Sequence, residues 1–109
     1  MDSQIEHFED LSHPWRGLIL LMQEMNFGRF ENLPFKHGQP DMEDPDFKTV
    51  TEFKFGGKNG PREEAMLTQY HLKKPIVELI DTLESIGDGM IRTLVVKNGL
   101  PFLLELEDL

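Results

Sequence analysis

The stretch PWRGLILLMQEMNFGRFENLPFKHGQPDM, Pro14 to Met42, decides the reading of this chain, because a shift of 61 positions lays it without a gap on Pro75 to Leu103. Pro14, Leu18, Ile19, Gly28 and Leu33 then meet Pro75, Leu79, Ile80, Gly89 and Leu94, and Lys36, Gly38 and Pro40 meet Lys97, Gly99 and Pro101. Conservative pairs fill in between, among them Met22 with Leu83, Phe30 with Ile91 and Phe35 with Val96. The identities include turn formers, which a shared backbone path requires, so the pattern predicts a unit present in two copies.

Ser12-His13-Pro14 reads as a helix start, with a capping residue ahead of a proline whose missing N–H costs nothing there. Trp15, Leu18, Ile19, Met22 and Met25 follow a period near 3.6, and Ile76, Leu79, Ile80, Leu83 and Ile86 repeat it after Pro75. Asn26 and its counterpart Gly87 are the two residue types that best tolerate a left-handed helix end. The period then changes to two. Leu33 and Phe35 share a strand face, while Phe30 lies an odd three residues before Leu33, an offset that Ile91 and Leu94 repeat. The strands are therefore expected to begin near Glu31 and Thr93, after a bulge. Lys36-His37-Gly38 and Lys97-Asn98-Gly99 are turns, the second with a strong hairpin signal.

Beyond the first turn the copies diverge. Asp41–Asp46 (DMEDPD) is an acidic loop, after which Phe47, Thr49, Thr51, Phe53 and Phe55 alternate as a return strand. Gly56-Gly57-Lys58-Asn59-Gly60-Pro61 is a loop, and Arg62–Lys74 mixes helix formers with residues that oppose them. In the last strand Phe102, Leu104 and Leu106 are expected to face inward, with Glu105 and Glu107 outward. Residues 1–11 read as an arm or a short helix.

The expected architecture is α+β: an internally duplicated helix–β-hairpin unit forming a four-stranded antiparallel sheet, with two main helices packed on one face. The whole chain, 1–109, is one domain, with repeat 1 at 12–55, a linker at 56–71 and repeat 2 at 72–107. Residues 18–42 (LILLMQEMNFGRFENLPFKHGQPDM) resemble a small uncharacterised bacterial domain family of helix-plus-β-hairpin type. Phe27-Gly28 and the His37-Gly38 turn carry the likeness; the second copy keeps the turn as Asn98-Gly99 but has Asp88-Gly89 in place of the aromatic-glycine pair. The resemblance implies the fold and a bacterial source, and it carries no function to transfer.

Composition narrows the function classes. The 109 residues include 20 acidic and 11 basic side chains for a net charge of −9, a field that repels phosphate backbones and anionic lipid. Nucleic acid is thus disfavoured as a partner. No apolar run approaches the ~20 residues of a membrane span, and the acidic start lacks a basic leader, so no membrane association is expected. The absence of cysteine removes disulfides, thiolate metal sites and cysteine nucleophiles, and fits a reducing cytoplasm.

Chemistry-bearing patterns are sparse. His7, His13, His37 and His71 lie at no metal-binding helical spacing. Asp41, Glu43, Asp44 and Asp46 lack the alternation and central glycine of a calcium loop, so a solvated loop is favoured over a weak cation site. The 56–60 glycine run lacks the Gly-Lys-Ser/Thr of a phosphate loop. No catalytic, cofactor or metal residues are assigned, and the pattern weighs against an enzyme. Two features stand out: the paired turns, giving Lys36, His37, Lys97 and Asn98 as candidate interaction residues, and an excess of large apolar side chains. The missing catalytic constellation, the exposed edge strands of such a sheet and the apolar excess favour a non-catalytic module that binds a protein partner or itself. The alternative is a small-molecule or metal site, even an enzymatic one, in a groove between the repeats.

Overall fold

The computed structural model describes residues 7–56 and 72–107. A short 3-10 turn at Phe8–Asp10 leads into helix α1 (His13–Met25), strand β1 (Gly28–Lys36) and the two short strands β2 (Gln39–Pro40) and β3 (Lys48–Thr51). Helix α2 (Lys74–Ile86) and strands β4 (Gly89–Lys97) and β5 (Leu100–Leu106) follow. The fold is α+β, with two helices on a curled antiparallel sheet. β1 and β4 form its centre, β5 closes one side, and β2 and β3 share the other edge by pairing with opposite ends of β1.

α1 and α2 each span 13 residues, β1 and β4 nine, and each member of a pair begins 61 positions after the other. The central register respects the same spacing, since Gly28 pairs with Val96 and Phe35 with Gly89. So do the helix ends. The Gly38 N–H at the first turn donates to the Gly87 carbonyl, and the Gly99 N–H at the second donates to the Asn26 carbonyl, both at 2.8 Å. Each hairpin tip thus closes the end of the other half's helix.

Both helices bury their apolar stripes in one core with Phe30, Leu33, Phe35, Ile91, Leu94 and Val96. Phe8 and Leu11 join it from the amino-terminal segment. Trp15 is fully enclosed, and its indole N–H donates to the Gly38 carbonyl at 3.0 Å, which ties the start of α1 to the first turn. Gly38 is required here: it has φ +72°, and a Cβ would lie 2.9 Å from the Glu84 Cα.

Several expectations need correction. β1 and β4 begin at Gly28 and Gly89, earlier than Glu31 and Thr93, because the irregularity lies inside the strands. Asn32, at φ 57°, and Arg92 drop out of the otherwise regular β1–β4 register, and this reverses which side chains face the core between Phe30 and Leu33 and between Ile91 and Leu94. Ser12 holds the cap position of α1, but its hydroxyl donates to the Gln39 side-chain carbonyl, not to the helix. Asn26 and Gly87 do take positive φ, yet with ψ of −54° and −79° they are not left-handed caps. Around Asn26 the Phe27 N–H reaches the Met25 carbonyl at 2.8 Å, a γ-turn of the strained, positive-φ kind.

The return strand expected over 47–55 is shorter. Thr51 pairs with Gly28, the first residue of β1, and the Glu52 N–H takes the Phe27 carbonyl at 2.9 Å. Past that point the chain it follows turns into the α1 connector, which leaves no strand to pair with among the described residues. Phe53 is 69% exposed and Phe55 fully so. Phe102, expected inside, is 63% exposed because a register shift opposite Val95 and Val96 turns it outward. Ile86, expected in the α2 stripe, is exposed. The readings of 57–71, including most of the linker and His71, fall outside the described residues, as does most of the 1–11 arm.

Candidate functional site

The two turns are geometrically alike. His37-Gly38 and Asn98-Gly99 have φ near +55° and +72°, the two-residue hairpin geometry with both central residues at positive φ. Lys36, His37, Lys97 and Asn98 are all exposed. They do not form one site, however. The antiparallel β1–β4 register sets the first tip beside Gly87 and the second beside Asn26, at opposite ends of the central pair. At about 3.3 Å per residue this is roughly 35 Å of sheet. Their surroundings also differ. The His37 N–H donates to an Asp88 carboxylate oxygen at 2.9 Å, whereas Phe27 stands at the corresponding place in the other half. Lys97 carries its ammonium 4.0 Å from the Phe102 ring centroid, a cation–π contact, and Lys54 does the same over Phe27 at 3.9 Å.

The acidic loop folds on itself. The Glu43 N–H donates to an Asp41 carboxylate oxygen (3.1 Å) and the Asp46 N–H to one from Asp44 (2.9 Å), so two of its acids cap their own turns. Among the described residues, no group of three His, Cys, Asp or Glu side chains is placed to hold a metal ion, and no helix is long and apolar enough to cross a membrane.

The seam between the halves is the β1–β4 ladder, filled on its inner side by core residues, and two grooves lie away from it. One, between α2 and β5, is lined by Glu78, Leu79, Thr82, Leu94, Phe102 and Leu104 among others. The second, of about 290 Å³, lies between α1 and β3 and is lined by Leu21, Glu24, Met25, Phe30, Thr49, Thr51 and Phe53. Each therefore sits between a helix and the edge strand of its own half.

The edges themselves are unequal. β5 runs for seven residues with no strand on its far side among the described residues, and it presents Phe102 and Leu103, the latter 51% exposed. On the other edge, β2 and β3 supply two and four residues, split by the acidic loop. Sequence reading placed its candidate residues on the turns and invoked exposed edge strands only in general, without distinguishing β5. The available signal was the contrast at the 61-residue spacing, where Gly17 corresponds to Glu78 and Met42 to Leu103.

No protein-family model, curated protein or solved structure matches the chain. Geometry alone carries the functional reading.

Proposed function

We propose that this protein is a non-catalytic binding module that docks a protein segment, from a partner or from a second copy, on the open edge of β5. The observation that carries this reading is the seven-residue β5 edge, bulged at Phe102, which has no strand on its far side among the described residues and holds Phe102 and Leu103 out to solvent beside a groove. An unpaired edge offers a row of backbone donors and acceptors, and the flanking pockets give side-chain selection. We further read the two halves as copies of one unit, an inference supported by the constant 61-residue spacing and the reciprocal turn-to-helix hydrogen bonds. A reducing, cytoplasmic setting in a bacterium fits the cysteine-free composition and the resemblance of residues 18–42.

The test is retention of proteins from source-cell lysate after nuclease treatment, with wild type and Leu103→Asp side by side. The reading expects a protein held by wild type and released by the variant. A preparation that retains nothing, or retains material only before nuclease, would refute it.

A second reading has one observation in its favour, the α1–β3 groove with its apolar floor and the Thr49, Thr51 and Glu24 polar groups around it. A small apolar ligand carrying a cation would suit it. A thermal shift with amine-bearing apolar compounds, lost in Glu24→Gln, is the result this reading expects.

A further inference from the structure

We infer that the groove between α2 and β5 takes an extended, basic segment of another protein, added antiparallel or parallel to β5, with an apolar side chain seated between the helix and the strand. The inference rests on the binding-module reading and names the occupant. Its first support is a comparison within the molecule. In the first half the place corresponding to this groove is already filled: Met42, on the acidic loop, packs partly buried against the core, and its methyl lies 3.2 Å from where a Gly17 Cβ would be. Sixty-one residues later Leu103 stays on the edge strand, half exposed, and the space over α2 is left open beside Glu78. One half supplies its own apolar plug. Among the described residues the other has no counterpart to it.

The second support is charge. Glu78 stands in the groove where the first half has glycine, and Glu105 and Glu107 lie exposed along and just past β5, while the cation at this edge, Lys97, is engaged over the Phe102 ring at the turn end of the strand. With a net charge of −9 behind them, these acids disfavour a second copy of the chain and favour a cationic segment. Acidic side chains on an edge also guard it against pairing with its own kind. Alternate side chains of an added strand point to opposite faces. An occupant with apolar residues on the groove side and lysine or arginine within reach of Glu78 therefore matches both features.

The experiment uses the full chain and two blocked peptides of about eight residues, one alternating leucine with lysine and the other leucine with glutamate. Binding is measured by calorimetry against wild type, Glu78→Gln, and Thr82→Phe, which plugs the groove without changing charge. The leucine–lysine peptide is expected to bind wild type, to weaken by about tenfold or more in each variant, and to be unmatched by the leucine–glutamate peptide. Equal binding to Thr82→Phe would mean diffuse attraction to an acidic surface and would overturn the inference. So would binding of neither peptide, or a dimer of the chain that Thr82→Phe dissolves. A lysate partner released by Leu103→Asp but indifferent to Glu78→Gln and Thr82→Phe would sink this inference while leaving the binding-module reading intact.

Discussion

The two halves share a helix, a long central strand and a tight turn, and they part company at the residue after the turn. In the second half the chain passes from Pro101 straight along β4. In the first, Asp41 follows Pro40 into a self-capped acidic loop, and the return strand resumes only at Lys48. The loop costs the first half a continuous edge but brings Met42 onto α1, where it covers the place that corresponds to the α2–β5 groove, while the separate groove between α1 and β3 stays open. The second half keeps its edge and leaves its groove open. The acidic loop thus covers on one side of the sheet a place that the corresponding residues of the other side leave open.

The sharpest way to break this comparison is at the turns. Gly38→Ala should cost about 3 kcal/mol, because the methyl meets the α2 backbone at Glu84 as well as a left-handed φ; Gly87→Ala, with open space around it, should cost roughly half as much. Urea denaturation measures both, and equal losses would mean that the tip-to-helix contact contributes little.

A smaller effect separates the plug from its counterpart. Met42→Ala is expected to lose about 1.5 kcal/mol through lost packing over Gly17, whereas Leu103→Ala should change stability by less than about 0.5 kcal/mol. If Leu103→Ala proves the more damaging, the two sides have been assigned the wrong way round.

The smallest effect is a gain. Asn26→Gly relieves the γ-turn geometry and removes a buried Oδ1 without a hydrogen-bond partner, offset by the entropy of an added glycine, and a net stabilisation of about 0.5–1 kcal/mol is expected. A loss of stability would show that the asparagine side chain does more than mark the helix end.

Much of this plan is legible in the residues. The 3.6 period locates both helices, and the odd spacing of Phe30–Leu33 and Ile91–Leu94 gives away the irregularity that Asn32 and Arg92 produce. What periodicity could not give is where a strand runs out of partner. Phe53 continues the alternation of Phe47, Thr49 and Thr51, but pairing stops at Gly28, where β1 begins. Phe102 fits an inward pattern until a register shift turns it out. The candidate turns were legible as turns from Gly38 and Asn98-Gly99; their separation followed only from an antiparallel central register. The open groove was hidden because its meaning depends on Met42 crossing from a loop to a helix, a contact without a sequence period.

Amide hydrogen exchange on the full chain, free and with the leucine–lysine peptide, tests the central claim that the longer edge, β5, is the receiving one. The account predicts new protection at backbone amides within Phe102–Leu106 and none at Thr49–Thr51. Protection appearing at β3, or binding without protection at either edge, would contradict it.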